Sequence, residues 1–60
     1  MKELTVSELE QVYDALAVAI DRATPDKSEL FLVKLALLSA QALGNAEQFI
    51  ALTESALNDL

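Results

Sequence analysis

The chain has 60 residues, 53% of them hydrophobic, and contains no cysteine and no histidine. This length makes one small domain the upper limit. The missing residue types exclude a disulfide framework, a Cys/His metal site, a cysteine nucleophile and histidine-based acid–base catalysis. The chain is acidic, with a net charge of −6. Its basic residues are scattered along the sequence, and this disfavours binding to nucleic acid or to an anionic membrane surface.

Hydropathy favours neither a secreted nor a membrane protein. Residues 1–5 include Lys2 and Glu3 and lack the apolar run of a signal peptide. The most apolar segment, residues 30–43, is interrupted by Lys34 and is shorter than the roughly 20 residues of a membrane-spanning helix. We therefore expect a cytoplasmic protein that makes no membrane contact.

The first helix is predicted over residues 6–23. Thr5 and Glu8 fit a capping box, in which each side chain bonds to the backbone amide of the other residue. Apolar side chains then recur at spacings of three and four, which is typical of one helix face. They are Leu9, Val12, Tyr13, Leu16 and Ile20. We expect Tyr13 to be a core residue with its hydroxyl at the edge, and Val18, on the opposite side, to be exposed.

The second helix is predicted over about residues 26–43, beginning at Pro25 or Asp26, with Thr24 as its N-cap and Pro25 well placed at a first helical position. Apolar residues cover nearly its whole circumference and leave one narrow polar stripe. The stripe consists of Lys27, Lys34 and Gln41. A helix that is apolar on nearly every side is expected to be buried on nearly every side.

The third helix is predicted over residues 46–58. Gly44 fits the left-handed position that ends a helix, and Asn45 fits the N-cap of the next one, with Gln48 three residues further on. The apolar stripe of this helix consists of Phe49, Leu52, Thr53, Ala56, Leu57 and Leu60. The predicted fold class is all-α. A single domain over residues 1–60 forms a three-helix hairpin or bundle around the apolar central helix.

The central helix carries more apolar surface than two flanking helices can cover. Monomers rarely expose large contiguous apolar patches, so we expect the remaining face to bind a second copy, most simply as a two-fold homodimer. The predicted interface consists of Leu32, Leu35, Ala36, Ser39 and Leu43. The alternative sector consists of Leu30, Val33, Leu37 and Ala40. Periodicity does not decide between the two sectors, and a different partner or a monomer are the remaining alternatives.

No residue constellation for catalysis is present. A serine nucleophile would need a base that this chain lacks, and a single glycine excludes a phosphate-binding loop. The acidic pairs Glu10–Asp14 and Asp14–Asp21 are typical of a solvated helix face rather than of a cation site. We therefore predict a non-catalytic protein–protein interaction module without cofactor or metal. The alternative is a small-molecule binder with an apolar pocket, where Lys34 or Tyr13 supplies the polar contact.

The segment from Lys34 to Asn45, KLALLSAQALGN, resembles the core of a catalogued bacterial family of small all-helical domains of unknown function. In that family a basic residue precedes a Leu/Ala-rich run that closes on Gly followed by Asp or Asn. Residues 12–16, VYDAL, resemble the family's first-helix pattern, so the likeness covers about residues 9–57. The sequence differs at Asn45, where Asp is more common, and at residues 41–43, where the family has a more polar turn with a histidine.

The resemblance implies a bacterial origin and a helical fold. Genes of this type can lie near flavin-dependent aromatic hydroxylases, which implies an accessory role beside a larger enzyme. A site built on the family's histidine is not carried over, because this chain has no histidine.

Overall fold

The computed structural model describes residues 3–58, which form three α-helices joined by two short turns. The helices are α1 (Val6–Ala23), α2 (Ser28–Leu43) and α3 (Ala46–Leu57). No strand occurs among these residues, so the all-helical class predicted from periodicity is confirmed. The start of α2 falls at Ser28 rather than at residue 26, and α3 ends at Leu57 rather than at residue 58. Leu60 of the predicted third stripe lies outside the described residues.

The predicted capping box at the start of α1 is present. The Thr5 hydroxyl accepts from the Glu8 amide at 3.1 Å, and the Glu8 carboxylate accepts from the Thr5 amide at 2.8 Å. The Thr5 backbone amide, and then its side chain, lower the pKa of Glu8 below its ordinary value of 4.5. Because the folded-state pKa is the lower one, this contribution to stability is present above pH 4.5. It is lost as the pH falls through the folded-state pKa.

The first turn differs from its prediction. Thr24 is the C-cap of α1 rather than the N-cap of α2, with a φ of 69° and its amide bonded to the Asp21 carbonyl. The Lys27 amide then donates to the Thr24 carbonyl at 3.1 Å and closes a separate turn that contains Pro25. Lys27 precedes α2 and supplies no side-chain cap. The positive φ at Thr24 redirects the chain before Pro25, so α2 begins after this turn rather than at the proline.

The second turn matches its prediction. Gly44 ends α2 in the left-handed region, with φ 73° and ψ 20°, and its amide donates to the Ala40 carbonyl at 3.0 Å. The Asn45 side chain accepts from the Gln48 amide at 2.9 Å and caps α3. Two residues therefore end one helix and start the next.

Substituting Gly44 with alanine is expected to lower the free energy of unfolding by about 1–2 kcal/mol. A Cβ at this position would meet no atom within 4 Å, so the loss arises from the positive φ alone. Gly44→Asn is the matched control and should lose clearly less, because asparagine tolerates the left-handed region. Urea unfolding followed by circular dichroism measures both variants. Equal losses would show that backbone conformation is not the cause.

The three helices contact one another only in sequential pairs. Helix α1 packs against α2 and α2 against α3, whereas α1 and α3 do not touch within residues 3–58. No two Cα atoms separated by 12 or more residues approach within 8 Å over that range. The Cα radius of gyration is 12.7 Å, against about 10 Å for a compact domain of this length. The single chain is therefore an open arrangement of three helices rather than a closed bundle.

Candidate interaction surface

The apolar faces of all three helices are open to solvent. None of the described residues is buried, so the burial predicted for α2 is not found in the single chain. Leu37 and Leu38 are 67% and 64% exposed. Tyr13 is 72% exposed, so its assignment to a core is wrong for the single chain, because α3 does not close over α1. Val18 is exposed, as predicted.

The solvent-accessible surface area of the chain is larger than that of a compact monomer. The chain exposes 5531 Å², whereas a compact monomer of this size is expected to expose about 3,800 Å². The excess is roughly 1,700 Å² per chain, or about twice the 800 Å² that each partner contributes to a standard protein–protein interface. Much of the excess is apolar, since large hydrophobic side chains on every helix are exposed. The single chain therefore carries enough uncovered area for an extensive interface.

Phe31 marks the junction of α1 and α2. Its half-buried ring lines three cavities between the two helices. One of them, which we call the apolar groove, has a volume of about 460 Å³. It is lined by Val12, Ala15, Leu16, Ala19, Phe31, Leu35 and Ser39. Two residues of the predicted apolar stripe of α1, Val12 and Leu16, thus lie along an open groove rather than in a closed core.

A second cavity that Phe31 lines, which we call the basic groove, has a volume of about 430 Å³. It is lined by Arg22, Ala23, Lys27, Leu30, Phe31, Lys34, Leu35 and Leu38. Its apolar side chains are thus accompanied by three of the four basic residues of the chain. None of these three forms an ion pair within residues 3–58. The basic groove is therefore an apolar cavity whose lining includes three cationic side chains and no acidic one.

Sequence reasoning missed this clustering. The basic residues are scattered along the chain, and the spacing of Lys27 and Lys34 indicates only that these two share a side of α2. Arg22 joins them because it lies in the last turn of α1, next to the turn that brings α1 against α2. The seven-residue spacing of Lys27 and Lys34 could have indicated part of the cluster. The position of Arg22 beside them depends on how the first turn folds.

Helix α3 carries the opposite charge. Its sequence contains Glu47 and Glu54 and no basic residue. The two glutamates lie seven residues apart and hence on one side of the helix, next to Ile50 and Leu57. All four side chains are exposed. We call Glu47, Ile50, Glu54 and Leu57 the acidic edge of α3.

The five residues of the predicted interface lie on one side of α2. Leu35, Ala36 and Leu43 are half-buried, whereas Leu32 and Ser39 are exposed. Leu35 and Ser39 also line the apolar groove. The interface with a second copy stays a prediction.

Within residues 3–58 the structure has neither a metal-binding cluster nor a membrane-spanning helix. No group of three or more acidic side chains there is arranged to hold a metal ion. None of the helices combines the length and the apolar character needed to cross a bilayer.

Comparisons with protein-family models, curated proteins and solved structures find no match to this chain. The resemblance of residues 9–57 to a bacterial helical family stays a prediction. The functional argument therefore rests on the exposed apolar faces and the two grooves.

Proposed function

We propose that this chain is a non-catalytic helical interaction module that completes its fold by binding a second copy of itself. The observation that carries the proposal is the excess of roughly 1,700 Å² of exposed surface. A 60-residue monomer without disulfide or metal sits near the limit of stability, and oligomerisation is one of the usual remedies. The open chain has not buried the apolar surface that it needs, and a second copy supplies that surface.

The size of the excess favours an obligate dimer over a transient encounter. If both copies bury this area, the interface totals roughly 3,400 Å², which falls among obligate homodimers. The predicted sector of α2, with Leu32 and Leu35, contributes to this interface. An accessory role beside a larger enzyme in a bacterial cytoplasm is consistent with such a module, and this part of the proposal comes from the family resemblance.

Sedimentation equilibrium over a hundredfold range of protein concentration tests the proposal. We expect a species of twice the chain mass that dissociates only on dilution, with helicity and melting temperature falling as it dissociates. A species of one chain mass at every concentration, with unchanged helicity, would overturn the proposal.

A small-molecule binder is the second candidate, and the basic groove favours it. Ligand pockets have volumes of about 300–1,000 Å³ and combine apolar walls with a few polar groups. The basic groove fits this description, and Lys34 provides the polar group that the sequence indicated. Chemical shift changes confined to this groove on adding an apolar anion to the dimer would favour this candidate.

A further inference from the structure

We propose that the basic groove of one copy receives the acidic edge of α3 from the second copy. This inference rests on the proposed self-association and names the contact that fixes the relative placement of the two chains. Its first support is charge. The groove gathers Arg22, Lys27 and Lys34, whereas α3 carries only negative charge. Complementary charge across an interface steers association and fixes register.

The spacing of the two surfaces also matches. In α2 and its N-cap, the part of the sequence that lines the groove reads Lys-x-x-Leu-x-x-x-Lys from Lys27 to Lys34. In α3 the acidic edge reads Glu-x-x-Ile-x-x-x-Glu from Glu47 to Glu54. Each pair of charges is separated by about 10 Å along its helix. Two helices laid side by side can therefore pair both lysines with both glutamates while their apolar residues pack between them.

The acidic edge of the same chain cannot occupy the basic groove. Helix α3 follows the Gly44–Asn45 turn and contacts α2 only beside it. The half-buried residues near that turn, Ala40 and Leu43, lie about 120–180° around α2 from Lys34. The groove and the edge therefore face apart within one chain, and a second copy brings them together.

Paired charge reversals test the contact. One variant carries Lys27→Glu and Lys34→Glu, and the other carries Glu47→Lys and Glu54→Lys. Each alone places like charges across the proposed contact, so its dissociation constant should rise by about tenfold or more. Mixed in equal amounts, the two variants should form a heterodimer near wild-type affinity, because each groove again meets an edge of opposite charge. Sedimentation of each variant and of the mixture measures this, with circular dichroism as a check on helicity.

The variant with Glu47→Lys and Glu54→Lys distinguishes an effect of local charge pairing on association from an effect of total charge. It moves the net charge toward zero from −6, which by itself would strengthen self-association, whereas the proposal requires weakening. Glu10→Lys with Asp14→Lys makes the same change of charge on α1 and should leave the dissociation constant within about twofold of wild type. Equal weakening by this control would overturn the proposal, because the acidic side of α1 would then be the contact.

The outcomes distinguish this contact from self-association itself. A dimeric wild type whose two reversed variants associate normally overturns the contact and leaves the proposed function standing. If both variants associate more weakly and their mixture does not regain wild-type affinity, the proposed contact is also overturned, because the groove and the edge then do not meet. A wild type that is monomeric at every concentration overturns both proposals.

Discussion

Replacing Phe31 with alanine is expected to lower the free energy of unfolding by about 2–3 kcal/mol. Truncating a buried phenylalanine costs about 3–5 kcal/mol, and the half-buried ring of Phe31 places its loss below that range. The ring lines both the apolar groove and the basic groove, as Leu35 also does, so its removal weakens the contact between α1 and α2 at both grooves. Urea unfolding at a fixed protein concentration measures the effect.

Tyr13→Ala is the matched control, because it also truncates an aromatic side chain within a helix. Tyr13 is exposed and lines neither groove, so we expect a loss of at most about 1 kcal/mol. A Tyr13→Ala loss as large as that of Phe31→Ala would contradict Phe31 as the centre of the α1–α2 contact. The dimer would then hold its main contact along the exposed side of α1.

Local signals in the sequence were enough to define the helices. Thr5 and Glu8 form the capping box because both bonds lie within four residues. Gly44 and Asn45 act as predicted for the same reason, since each satisfies backbone groups of its own turn. Thr24 is the exception. Its C-cap role depends on a positive φ that is uncommon for threonine, and a rule based on residue preference assigns it to the next helix instead.

The relative placement of the helices could not be predicted in the same way. Periodicity assigned Tyr13 to a core, because a stripe of apolar residues shows which face avoids water but not what covers it. In the single chain nothing covers that face, since α1 and α3 do not touch among the described residues. The basic groove was missed for a related reason. Its three cations come from two helices and a turn, so only the folded turn shows that they are neighbours.

The sequence shows that α2 has more apolar side chains than a small monomer can cover. It does not show whether another helix of the same chain or a second copy covers them. An interior position and an interface position select the same side chains, because both remove apolar surface from water. Interior and interface positions can be distinguished only by the exposed fractions of their side chains in the folded chain. Both sectors of α2 therefore remain candidates for the interface, and a single charge introduced into each sector distinguishes them.

Leu32→Asp is expected to raise the dissociation constant of the dimer by about 100-fold, which corresponds to about 2.7 kcal/mol. Leu32 belongs to the predicted interface and is 43% exposed in the single chain, so a second copy has apolar surface there to cover. A carboxylate in a desolvated contact costs several kcal/mol unless it is paired. Its effect on the isolated helix is only about 0.5 kcal/mol, so the loss should fall on association. Sedimentation and helicity, measured on the same samples, separate the two effects.

Val33→Asp is the control on the alternative sector of the same helix. Val33 is 51% exposed and lies about 100° around α2 from Leu32, outside the predicted interface and both grooves. It introduces the same charge at the neighbouring position, so propensity and net charge change almost equally in the two variants. We expect its dissociation constant to stay within about threefold of wild type. The reverse order of effects would move the interface to the sector of Val33, because only a desolvated position can account for a loss that the adjacent position does not share.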